Sequence, residues 1–260
     1  MAQSSLHPDP SVPLPRIRHV APDSPLRWLE RGWSDLWRAP SISLVYGVLA
    51  ALVGAALLWL FRGYTHVAPA LASGFLLVAP ALAINLYALS RRLERGEPVD
   101  SVHLFDDWRG NRGSIALFGL GLAFVLLAWE RVSAILFALF YGGEVPDLTR
   151  FLDQLLFSGA YLELAAAYLL VGAALAAVVF CLSVISLPLM LDRDVDTVTA
   201  IVASIDAVRA NLGAMALWAA LIAALTAIGF ATLMIGLIVI FPLLAHASWH
   251  CYRDVVEPAS

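Results

Sequence analysis

From Asn211 to Tyr252 the chain runs 42 residues without an acidic or basic side chain other than histidine. As one α-helix that run would measure about 63 Å, roughly twice the ~30 Å hydrocarbon core of a bilayer. It therefore reads as two membrane spans joined by a tight turn near Gly229. Four more apolar runs precede it: Ser41 to Phe61, Val67 to Ser90, one within Ser114 to Tyr141, and one within Ser158 to Leu191. The expected fold class is an all-α polytopic membrane protein with six transmembrane helices arranged as three hairpins. Composition agrees. With 61% hydrophobic residues and a mean hydropathy of +0.82, the chain is too apolar for a soluble domain. The net charge of −4 argues against nucleic acid as a partner.

Every basic residue is an arginine, 16 in all. If the N-terminus is cytoplasmic, 13 of them fall on the inner side, and only Arg62 and Arg150 fall outside. That asymmetry predicts both termini in the cytoplasm. The polar, proline-rich start has no apolar run behind a basic segment, so no cleaved signal peptide is expected. The domain reading is a disordered N-terminus over 1–23, one six-span domain over 24–256, and a short tail over 257–260.

Between spans lie amphipathic segments suited to the membrane interface. Ser24 and Pro25 open one, with Leu26, Leu29, Trp33 and Leu36 as its apolar stripe. Val195, Val198, Val202, Ile205 and Val208 line another. "HLFDDWRG" is a shorter third. An Asp-x-apolar-Arg pattern recurs in all three, at Asp35–Arg38, Asp106–Arg109 and Asp206–Arg209, each before a pair of spans. Pro80, Pro188 and Pro242 fall in the returning spans. Together they suggest three copies of a surface helix followed by a hairpin.

"SGFLLVAPALAINLYALSRRLERGEP", "SLPLMLDRDVDTVTAIVASIDAVRAN" and "LIVIFPLLAHASWHCYRDVV" give the chain its resemblance. From about Arg27 to Val256 it resembles a bacterial family of integral membrane proteins, domain of unknown function 2189. The resemblance implies a helical protein of the bacterial inner membrane. Some family members carry names that link them to cytochrome oxidase, but this chain lacks the histidine array of an oxidase catalytic subunit.

Few residues carry chemistry. His246 and His250 are one helical turn apart on one face. Two ligands on one face cannot clamp a haem iron from both sides, so haem is not expected. Zinc or copper would need further ligands, for which Asp192 and Asp194 are the candidates. The other reading makes the two imidazoles interfacial anchors, hydrogen-bonded to Asp192, Asp194 or lipid phosphate. The "LDRDVD" acids also suit a helix cap. Glu130 and Arg131 sit about 24 Å along their span from Ser114, where charge is costly. Adjacent residues diverge by about 100° on a helix, so Glu163 is the expected partner of Arg131.

No nucleophile elbow, phosphate loop or paired catalytic carboxylates appear, so no enzymatic chemistry and no cofactor are expected. The favoured reading is an accessory or assembly partner of a membrane complex, with the bilayer and another membrane protein or itself as partners. A small transporter or channel is the alternative, and a metal-handling protein using His246 and His250 is the third.

Overall fold

The computed structural model describes residues 14–60, 83–99, 107, 109–140 and 162–258. Among them are nine α-helices: α1 (Ser24–Arg38), α2 (Pro40–Leu60), α3 (Ile84–Arg95), α4 (Arg112–Phe140), α5 (Leu162–Ser183), α6 (Ser186–Asp192), α7 (Thr197–Ala210), α8 (Leu212–Ala231) and α9 (Leu237–Val255). Local chemistry sets several boundaries. Pro25 lies in the first turn of α1. Gly96 ends α3 at φ 66°, a left-handed cap that favours glycine. Asp196 caps α7, its carboxylate accepting the N–H groups of Val198 and Thr199 at 2.8 and 3.0 Å. This is the capping role expected of the "LDRDVD" acids. The helix leading to Pro188 breaks at Val184 and Ile185, and α6 begins after it. Ser204 of α7 accepts the Ile185 N–H freed by that break.

Four stretches are long and apolar enough to cross a membrane: Pro40–Leu57, Arg112–Phe140, Leu162–Asp192 and Leu212–Ala231. The all-helical membrane class stands on these, but the six-span count does not. Only the end of the stretch expected over Val67 to Ser90 is described, as the first residues of α3; the rest, with Pro80, lies outside the described residues. The stretch expected as the sixth span forms α9, whose C-terminal half is too polar to qualify. The turn expected near Gly229 falls at Thr232–Gly236, where Leu233 and Met234 take φ values of 53° and 70°. Gly229 stays helical and packs against Leu237.

Each excursion of the chain starts and finishes at one end of the molecule. Arg38, before α2, donates to the Leu93 carbonyl at the end of α3. Asn111, before α4, donates to the carbonyls of Met190 and Val195 around the end of α6. Asn211, before α8, accepts from Val20, while Arg18 donates to the Val255 carbonyl at the end of α9. Trp28, Trp249, Tyr252 and Leu187 are fully buried at this end. The candidate spans themselves are only 22 to 28% buried, leaving broad apolar sides.

Of the segment expected as a disordered N-terminus over 1–23, residues 1–13 lie outside the described residues, and from Leu14 onward the chain is part of this cap. Ile17 pairs with Val256 in an antiparallel bridge, and Glu257 donates to Arg16. Arg18 also holds the carbonyls of Arg253 and Val256.

Candidate functional site: a buried histidine relay

The two histidines of α9 belong to a hydrogen-bonded chain built from four helices. Asp35 comes from α1, Ser43 from α2, Ser90 from α3, and His246 and His250 from α9. His246 is fully buried. Its Nε2 lies 3.0 Å from Ser43 Oγ, and its Nδ1 lies 2.7 Å from Ser90 Oγ. Ser90 donates to Asp35 Oδ2 at 2.8 Å, and His250 Nε2 approaches the same oxygen at 2.8 Å.

The donor inventory orders this chain completely. An ionised Asp35 accepts only. Ser90 spends its proton on Asp35, so it must accept from His246 Nδ1–H. His246 Nε2 is then an acceptor and takes the Ser43 hydroxyl proton. His246 is thus neutral, with the proton on Nδ1 and all its polar atoms matched. Burial lowers its pKa to about 4, against the pull of Asp35, with His250 adding to the drop. For Asp35, burial is the largest influence and works upward. The hydrogen bond and charge of His250, the Ser90 bond and the charge of His246 outweigh it, and its pKa ends below the ordinary carboxylate value. Arg38 adds a longer ion pair at 3.6 Å.

Serine, histidine and a carboxylate in series have the order of a nucleophile, its base and an orienting acid. Ser43, however, is fully buried. No substrate reaches it in this arrangement. Only the His250 end faces water, lining a cleft of about 510 Å³ with Arg31, Asp35, Arg38, Arg253 and Asp254.

The expected acidic partners of the histidines lie elsewhere. Asp192 accepts from Tyr252 at 2.7 Å and pairs with Arg95 at 3.3 Å and Arg253 at 3.7 Å. Asp194 is exposed. Tyr252 and Arg253 sit two and three residues beyond His250, so they come off α9 in other directions. They turn Asp192 toward a second cleft of about 380 Å³, which Arg91, Glu94, Arg95 and Trp249 also line. Trp249 donates to Glu94 at 3.0 Å. Among the described residues, no three His, Cys, Asp or Glu side chains are grouped to hold a metal ion. Asp35 was the partner that sequence reasoning missed. Its only signal was the Asp35–Arg38 pattern, read there as part of a repeat.

The polar residues of the long spans also pair differently from expectation. Arg131 Nε lies 3.4 Å from Glu130 Oε2, and its side chain is 82% exposed. Glu163 is too far along the hairpin to serve. Trp129 stands level with Gly172, and Ser133 bonds Tyr168 at 2.7 Å. This register sets Arg131 about level with Leu170, seven residues or about 10 Å from Glu163.

Helical spans, a capped end and apolar sides define an all-helical integral membrane protein. Within it, residues 67–192 match the family model "Predicted integral membrane protein (DUF2189)". The match covers just under half of the chain. It is shorter than the resemblance read from Arg27 to Val256 and leaves out "HASWHCYRD" and all but the first two residues of "LDRDVD". No curated protein and no solved structure matches the chain.

Proposed function

We propose that this is a non-enzymatic protein of the bacterial inner membrane that acts as an accessory or assembly partner of another membrane complex. In this reading the chain makes three out-and-back excursions, six legs in all. The last leg runs along α9 (Leu237–Val255), whose C-terminal part from His246 onward enters the cap. One observation carries the proposal: among the described residues, the long apolar helices leave most of their sides open. The two clefts are lined by residues of the cap and do not include Glu130, whereas a transport path through the spans would need a polar cavity near it. The apolar flanks offer a complex ample surface. Both ring nitrogens of His246 are engaged by serines, which weighs against metal handling.

Gentle-detergent purification from the native membrane tests this. One membrane protein should recur at fixed stoichiometry. The reconstituted chain alone should give no solute or proton flux above empty vesicles. Flux that depends on this chain would remove the reading.

A second reading, a proton-coupled transporter, is favoured by the relay itself. It runs from the open cleft at His250 to Ser43 at the head of α2. On that reading, Asp35→Asn would abolish a pH-driven flux, measured with a pH-sensitive dye inside proteoliposomes.

A further inference from the structure

We propose that the outward face of α4 is where a second copy of this chain docks, side by side in the membrane, each Arg131 reaching the second copy's Glu130. This goes beyond the accessory reading and stands independently of it, because it rests on α4 alone.

The face is regular. Leu117, Leu120, Phe124, Leu127 and Arg131 are all more than half exposed. They follow one another at spacings of 3, 4, 3 and 4, the 3.5-residue seam of interlocking helices. The opposite face of α4 is occupied by Phe118, Leu122, Trp129, Ser133 and Phe137, all buried. The seam is therefore what α4 leaves over after packing within its own chain.

Lipid covers apolar seams without help, but it does not suit Arg131. Ser114 marks the capped end, where its carbonyl accepts from Thr197 Oγ1 at 2.9 Å. Arg131 lies 17 residues further, about 26 Å along the helix. Nine more residues, Val132 to Phe140, continue beyond it, all apolar but Ser133. Raising Arg131 into the outer headgroups would push those residues into water. Keeping them in lipid leaves the guanidinium inside the hydrocarbon, where charge is costly and finds polar partners.

The adjacent Glu130 makes a second copy the fitting partner. A two-fold axis along the membrane normal sets identical residues at equal depth. Arg131 is on the seam and Glu130 at its edge, one step around the helix. Each Arg131 then meets Glu130 of its own helix and of the second copy, giving a neutral four-charge cluster. A foreign helix would need its own acid at this depth; a second copy supplies one by symmetry.

Cysteine cross-linking of the full chain in intact membranes tests this, with Cys181→Ser to lower background. Oxidation should link Leu127→Cys into a species of twice the chain mass. Leu170→Cys on α5, 75% exposed, should stay unlinked. Arg131→Glu alone should cut the Leu127→Cys yield about tenfold, and Glu130→Arg with Arg131→Glu should restore it. Leu127→Cys with the native charges is informative even where the charge variants fail to accumulate. The proposal is overturned by an unlinked Leu127→Cys chain or by equal linking at Leu127 and Leu170. A linked species of another mass overturns it too, since that would put a foreign protein on the seam. So does a folded charge exchange that restores nothing.

Discussion

His246 is fully satisfied only while neutral, and this makes stability depend on pH in a defined direction. In the unfolded chain an imidazole titrates near 6.5; in the fold its pKa is lowered to about 4. Above pH 6.5 both states are neutral and the full stability is present. Between 6.5 and about 4 the unfolded state takes up a proton that the native state refuses, so stability falls as the solution is acidified. The loss reaches about 2 kcal/mol by pH 5. Asp35 and Asp254, whose pKa values are lowered below 3.8, lose their contribution only below that range. Thermal unfolding of the detergent-solubilised protein at pH 7.5 and 5.0 checks this. The wild type should lose several degrees more than His246→Asn, and equal losses would refute it. Ser90→Ala should cost about 1 to 3 kcal/mol at neutral pH, because it orphans the buried Nδ1–H of His246. The histidine pair was legible in the sequence because i and i+4 share a helix face. Its partners were not, because isolated serines 156 and 203 residues away leave no local pattern.

Among the helices, the apolar stripes marked amphipathic segments without marking which residues pack inward. Of the α1 stripe, Leu26 and Trp33 are 55 and 46% exposed and Leu36 is buried, beside Trp28, Gly32 and Asp35. In α7, Val198 is exposed, while Val208 shares the inward side with Ala200, Ala203, Ser204 and Ala207. In water an apolar stripe must find the core. Beside a bilayer it has lipid to face, and small or polar residues make the close helix contacts instead. The crossings on α9 show this most sharply. A Cβ on Gly47 of α2 would lie 1.9 Å from the Ile238 carbonyl oxygen, and one on Gly32 of α1 would lie 2.7 Å from the Ala247 nitrogen. Both obstacles are backbone, so the helices themselves would have to move. Gly47→Ala should therefore destabilise the protein by about 1 to 3 kcal/mol or more. Gly121→Ala, on the open side of α4 with nothing within 4 Å, should be neutral or mildly stabilising. Denaturation midpoints of the two variants decide this, and a well-tolerated Gly47→Ala would show that the crossing is loose.

For the whole molecule, the bridge between Ile17 and Val256 carries the topology further than hydropathy does. A chain whose ends meet on one face crosses the bilayer an even number of times between them. Four candidate spans satisfy that parity, as do six, so the bridge leaves the count open but excludes a five-span chain with termini on opposite sides. It also explains why the last leg was hard to read. α9 ends in the cap, where Trp249, His250 and Arg253 serve packing and ion pairs rather than lipid, and these residues dilute its hydropathy. The expected side of the membrane rests on charge. Arg18, Arg31, Arg38, Arg91, Arg95, Arg193 and Arg253 all line the cap clefts, and arginine-rich ends stay in the cytoplasm. A fluorescent protein fused after Ser260 should therefore light up in a bacterial host. A periplasm-active phosphatase fused after Arg95 should be silent, and one fused after Phe140 should be active. The first two results test the side on which the cap sits, and the third tests whether α4 crosses. Phosphatase activity after Arg95 would put the cap outside and reverse the arginine argument. Silence after Phe140 with a fluorescent C-terminus would instead leave the cap inside and remove α4 from the spans.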